Sequence, residues 1–243
     1  MTKRYILYDV DMSGGDLKHD ALAEALNAAV RSSDLDRIKS ILQRNPLLVD
    51  GTSTGMSPLK VATYSGRENV AHLLIKSGAT VDIFLAAALG EAERVAALLN
   101  EEPELIVSYS EDGWTPLHLA AFFGRLDMAR LLLRRHAEVH LRSRSAEGNT
   151  ALHAAVAGKQ SAMVDLLLEH GSDVDAADSL GWTPLNHAAH EGVVSIVESL
   201  LRHGGDPSIP SDDGRTPRET AVSEGQPELL QYFPDLQSEN GVR

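Results

Sequence analysis

The sequence predicts an all-α fold, a solenoid of about six or seven stacked helix-turn-helix units joined by β-turn or hairpin fingers. Four segments open alike: Gly113-Trp-Thr-Pro-Leu-His, Gly148-Asn-Thr-Ala-Leu-His, Gly181-Trp-Thr-Pro-Leu-Asn and Gly214-Arg-Thr-Pro. Their glycines lie 35, 33 and 33 residues apart, a period that belongs to stacked repeats rather than to one globular core. Aromatic residues make up only 5% of the 243 positions, too few for a core of large side chains, while alanine and leucine suit thin helical layers.

The units follow in order along a single domain, residues 20–236. Residues 1–19 read as an arm or cap extension, and 20–50 as a helix pair without the opening motif, as a terminal cap requires. The unit 55–82 opens with Gly55-Met-Ser-Pro-Leu-Lys-Val-Ala. In the unit 83–112 the helix Phe84-Leu-Ala-Ala-Ala-Leu-Gly90 follows Asp82 directly, so the opening turn is missing. Only 24 residues separate Gly66 from Gly90, against 34 from Gly90 to Gly124. The unit 113–147 shows the full logic. Thr115 caps a helix whose first position tolerates Pro116, Leu117, Ala120 and Ala121 form its apolar stripe, and Gly124 ends it. A second helix turns Met128, Leu131, Leu132 and Leu133 inward and Arg130, Arg134 and Arg135 to water. Units 148–180, 181–213 and 214–236 repeat the pattern, Pro234 stops the last helix, and 237–243 read as a disordered tail.

Thr115-Pro-Leu-His-Leu-Ala-Ala, the paired leucines and His170-Gly-Ser-Asp-Val-Asp-Ala-Ala-Asp resemble the ankyrin repeat, a β-turn plus two helices at a period of 33. The likeness covers roughly residues 20 to 236. Lys60, Phe84, Asn186 and Glu219 replace the motif histidine, and Lys159 stands where other units have glycine, leaving cap geometry open at those points. The resemblance implies that His118 and His153 link backbone to the motif threonines Thr115 and Thr150. It also implies a concave groove lined by the first helices and turn tips, the usual binding side.

Composition narrows the function. With no cysteine, disulfides, thiol nucleophiles and thiolate metal sites are excluded. No apolar run reaches the ~18 residues that span a bilayer, and residues 1–19 lack a signal-peptide core, so the expected address is cytoplasmic. The net charge of −13 disfavours nucleic acid as a partner. One stretch breaks the trend: Arg125 to Arg144 carries six arginines against Asp127 and Glu138, a local net of +4. It includes a two-residue insertion, since Val139 to Gly148 spans nine positions where Val174 to Gly181 spans seven. The bland reading is that these arginines are solvated helix ends favoured by the C-terminal dipole; the alternative is that Arg142 and Arg144 meet a partner.

The two residues before each helix-ending glycine face the implied groove: Arg31/Ser32, Tyr64/Ser65, Ala88/Leu89, Phe122/Phe123, Ala157/Gly158, His190/Glu191 and Ser223/Glu224. Large aromatics flanked by small residues predict a hollow beside Phe122, and exposed aromatics are favoured anchors. Trp114 and Trp182, just after the opening glycines, extend the strip. The candidate partner-binding residues are therefore Tyr64, Trp114, Phe122, Phe123, Arg142, Arg144, Trp182, His190 and Glu191. Against this stands plain packing of one turn on the next.

Catalytic signals are weak. His187, His190 and Glu191 share a helix, but a zinc site wants three or four protein ligands, and none more is evident. His136 and His140 are weaker still. Tyr5-Ile-Leu-Tyr-Asp-Val-Asp-Met resembles the nucleophile strand of haloacid-dehalogenase-type phosphotransferases, yet no parallel-sheet domain follows. The expectation is a monomeric, non-catalytic module that binds a protein, with no cofactor, metal, nucleic acid or membrane. Two alternatives stay open: an unusual enzyme or ligand-binding protein using the hollow with His187, His190 and Glu191, and an inhibitor or antitoxin-like regulator of a partner.

Overall fold

The computed structural model describes residues 15–51 and 56–233 and is nearly all helical. Among the described residues the β-structure is a single isolated antiparallel bridge, Arg142 to Thr150. Most of the N-terminal arm and the tail 237–243 lie outside the described residues. The first helix begins at Gly15, inside the segment set apart as an arm. The chain divides into two compact bodies between Val81 and Asp82, the junction where the opening turn is missing.

The first body holds α1 (Gly15–Ser32), α2 (Leu35–Arg44), α3 (Pro58–Tyr64) and α4 (Glu68–Lys76), with a 3₁₀ turn at Pro46–Asp50. Asp34 and Ser57 cap α2 and α3, accepting from Arg37 N–H at 3.0 Å and Lys60 N–H at 3.2 Å. Each cap satisfies one of the amides a helix start leaves open. Leu26, Ile38, Leu48, Leu59, Val70 and Leu74 close the core. Asp50 ties the turn to the body's end, accepting from Thr80 N–H at 2.7 Å and Thr80 Oγ1 at 2.8 Å.

The second body repeats one layer. Its inner helices are α5 (Ile83–Leu89), α7 (Pro116–Phe122), α9 (Ala151–Ala157), α11 (Pro184–Glu191) and α13 (Pro217–Ser223). Its outer helices are α6 (Ala92–Glu101), α8 (Leu126–Arg134), α10 (Ser161–Glu169) and α12 (Val194–Arg202), with 3₁₀ turns at Pro103–Val107 and Pro227–Tyr232. Each inner helix packs on the next. Buried alanines make this possible: Ala86, Ala87, Ala120, Ala121, Ala154, Ala155, Ala188 and Ala189. The backbones approach closely at Gly158, just past α9, where an added Cβ would overlap the Phe122 carbonyl oxygen.

Two expectations need correction. Counting back from Gly90 placed Phe84 at the motif histidine's position, but the cap of α5 is Asp82, accepting from Leu85 N–H at 2.7 Å. Helix α5 is one residue shorter between its cap and its left-handed end than α7, α11 or α13, so Leu85 takes that position. In the last unit the second helix is the 3₁₀ turn Pro227–Tyr232. Its lid is fixed by Arg218, which donates to the carbonyls of Leu230 at 3.3 Å and Phe233 at 3.1 Å. Val156 in α9 is fully buried, whereas the equivalent Val222 in α13 is 60% exposed, because among the described residues no inner helix follows it.

Candidate functional site

The candidate face is built by a hydrogen-bond relay that fixes the fingers before α9, α11 and α13 to the preceding inner helix. His118 Nε2 lies 2.9 Å from the Asn149 carbonyl oxygen and its Nδ1 2.7 Å from Thr115 Oγ1. A carbonyl only accepts, so Nε2 carries the proton and Nδ1 accepts from the threonine. His153 repeats this with Trp182 O at 3.1 Å and Thr150 Oγ1 at 2.8 Å. Asn186 does the same without an imidazole. Its Oδ1 accepts from Thr183 N–H and Oγ1, while Nδ2 donates to Arg215 O at 3.1 Å. Glu219 caps its own Thr216 at 2.8 and 2.9 Å. Burial holds His118 and His153 at a pKa of about 4, far below 6.5; the neighbouring His187 adds to this for His153, and the bonds to Asn149 and Trp182 oppose it. Both rings are therefore neutral at pH 7, as the relay requires.

The fingers share one frame. Ser110, Asp178 and Ser211 N–H donate to the carbonyls of Trp114, Trp182 and Arg215, four residues on, while Ser143 N–H reaches Asn149, six on. The two extra residues thus sit between Ser143 and Gly148, inside a wider turn whose ends are unchanged. Fingers are also tied to one another: Arg144 N–H donates to Gly113 O at 2.7 Å, Ser179 N–H to Glu147 O at 2.8 Å, and Asp212 N–H to Leu180 O at 3.0 Å.

On this scaffold the predicted residues of the second body gather at two stations. At the first, Trp114, Phe122 and Phe123 are each half-buried, with edge-on rings at 5.5 Å (Trp114 to Phe122) and 5.1 Å (Phe122 to Phe123). At the second, Trp182 packs against His187 at 5.1 Å and His190 at 5.7 Å, and the Arg215 guanidinium stands 5.9 Å from the indole. Helix α9 separates the stations and presents Ala157 and Gly158 there. Each tryptophan packs on its own inner helix, so packing and display coexist in one side chain. Tyr64, in the first body, is 41% exposed with the Lys60 ammonium 5.7 Å from its ring.

The polar groups are already engaged. His187 Nε2 hydrogen-bonds Asp178 Oδ2 at 2.9 Å, Glu191 pairs with Lys159 at 3.0 Å, and His190 lies 3.5 Å from Glu224. Asp178 is a buried carboxylate. Burial opposes its ionisation, but bonds from His187 and from the N–H groups of Trp182 and Leu180 outweigh that and hold its pKa below the ordinary value. Among the described residues no cluster of three or more His, Asp or Glu is arranged to hold a metal ion. His187 belongs to the Trp182 station rather than to Phe122, so the residues of a single polar hollow are not brought together.

Arg142 and Arg144 are both exposed. Arg142 donates to Gly148 O at 3.1 Å and Arg144 lies over the Tyr109 ring at 4.0 Å. Sequence reasoning missed two features. Asp178 and His187 lie nine residues apart and meet only because the finger folds back. Leu180, 59% exposed, is the apolar tip of a finger where Asp112, Glu147 and Asp213 occupy the same place. That contrast was legible in the aligned units.

A repeat protein of stacked helix pairs, with fingers tied in register, is the class these features define. A sequence profile described as ankyrin repeats (3 copies) matches residues 83–178 and 152–240. The chain belongs to the ankyrin-repeat family. It is similar to the rat ankyrin repeat and SAM domain-containing protein 6, 35% identical over 102 residues, 42% of this chain and 11% of that protein. It is also similar to the mouse ankyrin repeat and SOCS box protein 6, 28% over 171 residues, 70% of this chain and 39% of that protein. A third relative is the probable 26S proteasome regulatory subunit p28 of Saccharomyces cerevisiae, 34% over 89 residues, 36% of this chain and 39% of that protein. The match spans well under half the length of each. No helix among the described residues is long and apolar enough to cross a membrane.

Proposed function

We propose that this chain is a non-catalytic protein-protein interaction module that binds a protein partner through the inner face and finger tips of its stacked units. Ankyrin repeats generally serve as such modules. The observation that carries the reading here is the half-exposed Trp114–Phe122–Phe123 station, beside a helix that offers only Ala157 and Gly158. Large, half-exposed rings beside small side chains are the type of anchor that concentrates binding energy. Trp182, His190 and Glu191 extend the contact along the second body, Arg142 and Arg144 add to it from the long finger, and Tyr64 serves the first body. The mechanism is presentation: side chains fixed by stacking lose little freedom on docking.

The test compares the tagged chain with F122A/F123A in capture from its native host, with thermal melts of both. The expected result is a partner retained by the parent and lost by the variant, with cooperative melting kept in both. Loss of cooperative melting in the variant, or capture unaffected by it, overturns the assignment of the station as an anchor.

A further inference from the structure

The turn between α8 and α9 departs from its counterparts in charge. Aligned on the left-handed residues His136, Gly171 and Gly204 (φ 65, 85 and 89°), His140 stands where the next turn has Asp175, and Ser143 where it has Asp178. Those aspartates hold structure. Asp175 accepts from Asp206 N–H at 2.9 Å, and Asp178 accepts from Leu180 N–H, Trp182 N–H and His187. The 134–144 segment lacks both and carries Arg134, Arg135, His136, His140, Arg142 and Arg144, all exposed, with Glu138 the one carboxylate.

The fold leaves this charge unneutralised. Arg94, Arg130, Arg202 and Arg215 each pair with a carboxylate. Arg135, by contrast, donates to the neutral Asn100 at 3.2 Å, Arg142 to a backbone carbonyl, and Arg144 faces a ring. Arg134 has no polar partner among the described residues. Each guanidinium keeps most of its five donors available, in a fork that suits carboxylates. His136 adds a cost of about 1–2 kcal/mol for left-handed backbone, where Gly78, Gly171 and Gly204 take the same conformation freely. Placement favours a shared edge. Helix α8 packs on α7 and ends at Arg134, where the finger leaves, and Arg142 and Arg144 lie on either side of the buried Ser143, Arg142 in the isolated bridge to Thr150.

We propose that this edge docks an acidic, carboxylate-rich peptide segment of a protein partner. The inference rests on the reading of the chain as a binding module, but names a surface apart from the aromatic stations and the chemistry it takes. A segment rather than a long polyanion fits, because Asp112 and Glu147 stand at the tips of this finger and the one before it. Overall charge of −13 would repel nucleic acid beyond the edge.

The experiment is fluorescence anisotropy of a labelled Asp/Glu-rich peptide titrated with the full chain at low salt, beside a labelled single-stranded oligonucleotide of matched charge. The expected result is saturable peptide binding, weakened about tenfold or more in R142Q/R144Q and in R134Q/R135Q. It should be unchanged in R202Q, whose arginine pairs with Asp165 outside this edge. Absent peptide binding, equal loss in R202Q, or tighter binding of the oligonucleotide overturns the proposal. Circular dichroism checks folding; if R142Q/R144Q unfolds, R134Q/R135Q at the end of α8 decides. Failure of peptide binding while a partner sensitive to F122A/F123A is still captured overturns this proposal alone.

Discussion

The fingers before α9 and before α11 solve one geometric problem with different residues. Both close on an N–H to carbonyl bond, both end at a left-handed glycine, and both receive a donor from the preceding inner helix. The finger before α11 fills its interior with Asp178, which organises two amides and His187. The finger before α9 puts Ser143 there, gains two residues, and turns arginines outward. The difference teaches that these two fingers hold the frame and the relay in common and leave what the finger displays open to change.

The relay gives the largest expected effect. An unfolded histidine protonates near 6.5, whereas folded His118 and His153 do so only near 4. Between those values the unfolded chain binds more protons, so stability is full above pH 6.5 and falls as pH drops. The loss is on the order of 3 kcal/mol per histidine by pH 4. Urea unfolding at several pH values checks this. H118N/H153N, which copies Asn186, should flatten the profile; a slope that survives would place the acid sensitivity outside both fingers.

The next effect breaks the comparison directly. Asp178→Ala strips a buried acceptor from two amides and an imidazole and should cost about 2–3 kcal/mol, whereas Ser143→Ala, at the same position, should cost about 1 kcal/mol or less. Equal losses in chemical denaturation would mean that the two fingers rest on the same side chain after all. The smallest effect lies just past α9, where Lys159 takes a φ of 57° in the place of glycine. Lys159→Gly relieves that strain but gives up the exposed pair with Glu191, for a net gain of about 0.5 kcal/mol in thermal melts.

How much of this was legible depended on periodicity. The repeated opening and the threonine caps follow from residues at fixed offsets, and the histidine links of Thr115 and Thr150 from the resemblance to the ankyrin repeat. The one-residue misplacement at Phe84 arose because the register was counted from Gly90, although the cap at Asp82 sits one position closer. The 3₁₀ turns at Pro46, Pro103 and Pro227 each begin on a proline at the first helical position, a local signal that a search for the 33-residue period passes over. At the candidate face, the aromatic residues were found by register. Their partners were not, because Trp114 to Phe122 and Asp178 to His187 are contacts made by folding a finger onto a helix.

The relay also has a direction. His118, His153 and Asn186 each donate to a carbonyl that comes later in the chain. During synthesis, each of these three units therefore leaves the ribosome with one buried donor unanswered until the following finger arrives. Glu219 turns back on Thr216 and asks for no later acceptor. A chain cut between Asn186 and Arg215 would end on an open donor, while one that runs past Glu219 closes the series on itself.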